Sequence, residues 1–193
     1  MRGVLSVGVA LILLVATLSS QGQTAADLQQ KAAALEQAGN TTEAAAAWRA
    51  FLKVQPANAE AYAHLGFLEA QQEHYREAIP FYKKALTLNP AMPGLKMNLG
   101  LALFKAGDLK EAVQIFQPLL KGQPSSSPEA MRLKTLLGLA YYGQQQYATA
   151  VPYLKQATAS DSQNLPFRLF LRTVVSDQNN INVCWMFIVK SSI

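Results

Sequence analysis

His64, His74, Cys184 and a set of 12 carboxylates are the side chains to test first for chemistry. The histidines stand ten residues apart, and no carboxylates surround them in metal-ligand spacing. They are expected to be ordinary helix-surface or turn residues. A single cysteine excludes a disulfide within the chain and zinc clusters of the Cys-x-x-Cys type. There is no nucleophile elbow, P-loop, dinucleotide glycine pattern or His-Glu-x-x-His. Acidic residues are few and fall mostly at expected helix caps or solvated faces. No catalysis, cofactor or metal is therefore expected. The formal charge of +5 is scattered with no run of five or six Lys/Arg, so no nucleic-acid partner is expected. Half the residues are apolar and 15% are charged, the balance of a chain that folds.

With chemistry set aside, the informative signal is a period. Ala44, Ala78 and Ala112 are 34 residues apart, as are Pro56, Pro90 and Pro124, and Trp48, Tyr82 and Phe116. Ala32, Gly66 and Gly100 share the spacing. After a slip of four residues, Gly138, Tyr147, Ala150 and Leu154 occupy the matching columns of a fourth unit. Repeats of this length signal a solenoid.

The columns resemble the tetratricopeptide repeat family. The second unit matches best, through Tyr62, Leu65-Gly66, Tyr75, Ala78, Tyr82, Ala85 and Pro90. The resemblance covers about Ala25 to Ser162 and implies an all-α, right-handed superhelical solenoid of antiparallel helix hairpins. Units are expected at about 25–58, 59–92, 93–126 and 131–164 within a solenoid of 23–162, with a partial fifth beyond. Departures include Lys31-Ala32 for Leu-Gly, Phe51 and Leu119 in one small-residue column, and Ser162 in place of the closing proline. Glu69 stands where a large apolar residue is expected.

Glycine and proline both weaken a helix interior, so Gly66 and Pro80 need a reason. Gly66 is expected where the two helices cross, beside Ala78, with Leu65, Tyr75 and Tyr82 on the flanks. Gly100 with Ala112 and Phe116, and Gly138 with Ala150, repeat the arrangement. Pro80 removes a hydrogen bond to the Arg76 carbonyl and should bend its helix, as should Pro152 in the same column. Asn40 with Glu43 and Asp108 with Glu111 read as N-cap pairs, and Ser127-Pro128-Glu129 as another start signal. The glycosylation sequon at Asn40 is thereby explained as a cap.

By resemblance, the first helix of each unit lines a concave groove. Residues there that the hairpin core does not need include Phe67, Met97, Leu101, Phe104, Leu139 and Tyr142, with Lys105 and Arg132 nearby. An apolar face rimmed by positive charge suits an amphipathic helix or an extended, partly acidic peptide. The paired Lys and Asn with which some family members clamp a chaperone's C-terminal carboxylate are absent. The matching positions hold Gln29, Ala63, Met97 and Thr135, then Ala33, Phe67, Leu101 and Leu139.

The two ends read differently. Arg2, an apolar run from about Val4 to Leu18, then Ser20 and Gly22 have the layout of a signal peptide over residues 1–22, cut before Gln23. About 15 apolar residues span only about 22 Å as helix, short of a ~30 Å hydrocarbon core. Export to a periplasmic or extracellular space is expected, an uncleaved anchor being the alternative, with no stable membrane span after cleavage. Beyond Asn164 a fifth unit begins, but Arg172 falls in its small-residue column and 163–193 end on apolar residues. Read two bases along, suitable codons permit "SKQYQCVLDVYREIL", with both tyrosines in the repeat columns. A frameshift or assembly error near Arg172 is the hypothesis this raises.

The function expected is an exported, non-catalytic scaffold that binds a protein or peptide in its groove. The alternative is a recruiting or regulatory arm of a larger enzyme or envelope assembly. RNA binding, as in related hairpin repeats, needs base-reading polar columns. The Phe, Leu and Met columns argue against it.

Overall fold

The computed structural model describes residues 24–160, and the side chains of 24–156. The leader at 1–22 and the tail at 163–193 lie outside the described residues. Among the described residues the chain forms eight α-helices and no strand. They are α1 (Ala25–Gln37), α2 (Thr41–Val54), α3 (Ala59–Gln71), α4 (Tyr75–Leu88), α5 (Leu95–Ala106), α6 (Leu109–Lys121), α7 (Pro128–Gly143) and α8 (Tyr147–Ser160). Each helix packs on its neighbours in the chain, and α3 also touches α5. That order defines a solenoid of four hairpins, with α1, α3, α5 and α7 as the inner helices.

The hairpins are closed by a repeated turn. The amides of Asn40, His74, Asp108 and Gln146 each donate to the carbonyl five residues earlier, on Leu35, Glu69, Leu103 and Tyr141. Gly39, Glu73, Gly107 and Gln145 precede them in the left-handed region, with φ of 76°, 61°, 89° and 62°. Their amides donate to Glu36, Ala70, Phe104 and Tyr142. This is the Schellman motif, which satisfies carbonyls that a helix end would otherwise leave bare. It corrects the expected capping pairs: Asn40 and Asp108 stand at N-cap positions, but neither side chain makes a cap hydrogen bond. Their own amides are already held by the preceding helix. Side-chain caps fall on inner helices instead, at Asn58 and, as expected, at Ser127. At Thr24 a full capping box forms, and the Thr24 hydroxyl and amide hold the Asp27 carboxyl below its usual pKa. The sequence reading missed this cap, although the Thr-x-x-Asp spacing before a helix is its signal.

Inside each hairpin, the residue in the glycine column meets the residue sixteen positions later. A Cβ on Gly66 would lie 2.6 Å from the Tyr82 ring, on Gly100 2.5 Å from the Phe116 ring, and on Gly138 2.5 Å from Leu154. The ring therefore lies over the glycine itself, not on the flank where the sequence reading put Tyr82. Ala78, Ala112 and Ala150 are fully buried beside these contacts. Burial raises the pKa of the Tyr82 hydroxyl to about 12. In the first hairpin Ala32 takes the glycine column and Trp48 the ring column, and both are buried.

The helices run on through their prolines. Pro80 and Pro152 lie inside α4 and α8, and Pro118 lies inside α6 in a different column. All three sit on the exposed side of an outer helix. There water can solvate the carbonyl that each proline leaves without a donor.

Gly100→Ala should lower stability by about 1–3 kcal/mol through overpacking against Phe116, although alanine gains roughly 1 kcal/mol in helix propensity. Gly122→Ala, whose Cβ would meet nothing closer than 3.6 Å, should stay within ~0.5 kcal/mol of the parent. Urea unfolding of the two variants side by side checks the pair. Equal stabilities would refute the close-packing account.

Candidate partner-binding surface

The eight residues expected on the concave face divide in the structure. Phe67, on α3, is 42% exposed, one of the few large apolar side chains left open to water among the described residues. Met97, Leu101 and Lys105 on α5 are half-buried, and Arg132 on α7 is exposed. Phe104, Leu139 and Tyr142 are instead buried in the core cluster, which corrects their place on an open face. For two of them the reason is angular. Phe104 and Tyr142 follow Gly100 and Gly138 by four residues, about 40° around the helix from the line that faces the outer helix. Large side chains so close to that line turn inward, and Tyr142 packs edge-on against Tyr147 with ring centroids 5.3 Å apart. Leu139 shares Phe67's column yet is buried in the fourth unit.

Met97 and Arg132 come together across a cavity of about 670 Å³ between the third and fourth hairpins. Phe67 and Leu101 do not line it.

The joint between the first and second hairpins holds polar chemistry that the sequence reading missed. Glu69 is buried, the one charged side chain so placed among the described residues. Its Oε1 accepts from Arg49 at 2.5 Å, and its Oε2 lies 3.2 Å from His74 Nδ1. Glu69 and His74 hold the two Schellman positions where apolar side chains usually meet, so a hydrogen bond replaces that contact. Beside it, Trp48 Nε1 donates to Glu36 at 3.0 Å, and His64 Nδ1 lies 3.1 Å from the same carboxylate. The Trp48 and His64 rings stack at 4.5 Å. His64 on α3 and His74 in the turn are partly exposed, as expected of helix-surface or turn residues, and each also has a specific partner. No group of three or more His, Cys, Asp or Glu able to hold a metal exists among the described residues.

The Arg49–Glu69 pair has a counterpart in the same two columns. Gln117 on α6 donates to the Tyr141 hydroxyl on α7 at 2.7 Å. Burial pushes the Tyr141 pKa up and its neighbour Tyr153 adds to this, while the Gln117 bond pulls it down. At the middle joint the inner position is the buried Leu103, and Lys83 pairs instead with Glu111 at 2.8 Å on the next outer helix. The first and third joints therefore share one contact site with interchangeable chemistry, and the middle joint departs from it.

Three family models described as tetratricopeptide repeat match residues 30–93, 69–137 and 132–164. The chain belongs to the tetratricopeptide repeat family.

Solved structures agree on the fold. MamA 41-end from Desulfovibrio magneticus RS-1 is 19% identical, with a TM-score of 0.69 over 89% of this chain and 94% of that one. A crystal structure of MamA protein is 22% identical, with a TM-score of 0.61 over 77% and 79%. PilF of Pseudomonas aeruginosa is 23% identical, with a TM-score of 0.56 over 79% and 68%. Identities this low establish a shared fold and nothing finer. A search of curated proteins finds no match. Tetratricopeptide repeats are protein-interaction scaffolds and typically non-catalytic, so the coarse role of this repeat protein is to bind other proteins. No described helix is long and apolar enough to cross a membrane.

Arg49→Ala leaves the Glu69 carboxylate short of a charged donor and should destabilise by about 1–2 kcal/mol, discounted for the half-exposed arginine. Glu69→Leu restores the apolar residue of the repeat pattern and should cost less than Arg49→Ala, or stabilise. Thermal unfolding of both variants decides. A Glu69→Leu protein clearly weaker than Arg49→Ala would show that the pair itself holds the joint.

Proposed function

We propose that this repeat protein is an exported, non-catalytic scaffold that holds a protein or peptide against the inner face of its helices. The observation that carries the reading is Phe67, a large apolar side chain 42% exposed at mid-helix on α3. It lies in the same repeat column as the half-buried Leu101, with Met97 on the same inner helix. An exposed aromatic on a surface otherwise held rigid is the kind of anchor that concentrates binding energy at an interface. Close-packed hairpins preorganise that surface, so the receptor loses little freedom on binding. The ligand's chemistry on this reading is an amphipathic helix or extended segment with apolar anchors. Export rests on the leader-like residues 1–22.

A photo-crosslinking amino acid at Phe67, with Lys84 on the exposed side of α4 as the control position, tests the surface in cells. The Phe67 position should yield an adduct absent from the control. The captured partner, once purified, should bind Phe67→Ala at least tenfold more weakly than the parent, with helicity unchanged. The same preparation should show a mature N-terminus at Gln23. Adducts at Lys84 alone, or equal affinity for Phe67→Ala, would refute the inner-face reading; an intact N-terminus would refute cleavage.

A further inference from the structure

The cavity between the third and fourth hairpins has a cause in the repeat itself. In an uninterrupted 34-residue repeat, the start of α3 at Ala59 maps to position 93, and α5 begins two residues later at Leu95. After the four-residue slip the same point maps to 131, and α7 begins three residues earlier at Pro128. Neighbouring inner helices are thus offset at their starts by five residues, about 7.5 Å of helix. The extra turn makes α7 a helix of 16 residues, against 13, 13 and 12 for the other inner helices. The offset leaves Lys96 and the residues just before α5 open beside the longer α7, while Leu95 stays buried. The end of α6 closes the back.

What lines this space has two chemistries. Met92, Met97, Leu119 and Leu133 make an apolar floor, while Lys96, Arg132 and Glu129 stand exposed at its rim. Neither Lys96 nor Arg132 forms an ion pair among the described residues. The space is a half-open cleft of about 670 Å³, wide enough to admit a side chain from solvent. The thioether side chains of Met92 and Met97 adapt to apolar groups of varied shape. Glu129 repels a continuous polyanion such as a nucleic acid, while two cations to one carboxylate still favour an isolated negative charge.

We propose that this cavity is a peptide subsite, receiving one apolar side chain of an acidic, extended partner segment while Lys96 and Arg132 take the adjacent carboxylate. It builds on the reading of the chain as a peptide-binding scaffold but does not depend on Phe67. The subsite arises from the slip in this chain's own repeat rather than from the regular columns.

The test uses the mature chain with methyl-labelled methionine, followed by NMR. The probe is the blocked peptide Gly-Asp-Leu-Asp-Gly, with two comparison peptides carrying Leu→Ser or both Asp→Asn. The Met92 and Met97 methyls should shift saturably with the acidic Leu peptide. The Leu→Ser peptide should leave them in place, and the Asp→Asn peptide should bind at least fivefold more weakly. The double variant Lys96→Glu/Arg132→Glu, at exposed positions, should weaken binding at least tenfold, whereas Phe67→Ala should leave it unchanged. Absence of methyl shifts at millimolar probe, or unchanged binding by the double variant, would overturn the subsite. So would stronger shifts with a thymidine oligonucleotide at the same salt, which would mark a polyanion site. Loss of the shifts in Phe67→Ala would overturn it too, by placing the probe in the groove. Retained shifts alongside failed Phe67 crosslinking would sink the groove reading and leave the subsite standing.

Discussion

Close approach of two helix backbones, with a ring or leucine laid over a residue that has no side chain, is the constraint on which the solenoid depends. Gly66, Gly100 and Gly138 each sit against the residue sixteen positions later, at distances that leave no space for a methyl group. A glycine inside a helix forfeits propensity, and the packing of Tyr82, Phe116 and Leu154, all nearly fully buried, offsets that loss. The first hairpin is the variation. With Ala32 in the glycine column, Trp48 donates to Glu36 within the hairpin and stacks on the His64 ring of the next one.

The turn adds a second constraint. Four Schellman motifs place a left-handed residue at the same point of every hairpin, and two of the four are not glycine. Glu73 and Gln145 accept a backbone conformation unfavourable to most side chains because two hydrogen bonds and the hairpin packing hold it there. The same turn brings Glu69 beside His74, and the next joint outward brings Arg49 to the same carboxylate. A buried charge that would be an error in an isolated helix is thus satisfied by residues contributed from outside that helix.

A binding surface in this architecture is what remains when those packing demands are met. Phe67 is left over on the inner face, while Phe104, Leu139 and Tyr142 are consumed by the core. The cavity between the third and fourth hairpins has a different origin. It follows from unequal helix starts, so it marks the place where the array stops being periodic. Regular columns account for rigidity, and departures from them account for the features that distinguish one repeat protein from another.

The sequence alone determined the repeat length, the hairpin order and the family. Those follow from columns of small, aromatic and proline residues that recur every 34 residues, the length of one helix hairpin with its turns. Glu69 was legible as a departure from the repeat pattern. Tertiary structure decided which side of the core each remaining apolar residue joins. Phe67 and Leu139 share a column but not an environment, because exposure depends on what the adjacent hairpin presents. It also decided that the Asn40 and Asp108 amides belong to the preceding helix, and that Glu69 is partnered by His74 and Arg49. Contacts between residues 5, 20 and 28 positions apart, as in Glu69–His74, Arg49–Glu69 and Glu36–His64, carry no periodic signature in one chain. Glu69–His74 needs only the Schellman turn of its own hairpin, whereas Arg49–Glu69 and Glu36–His64 exist only once the hairpins are stacked.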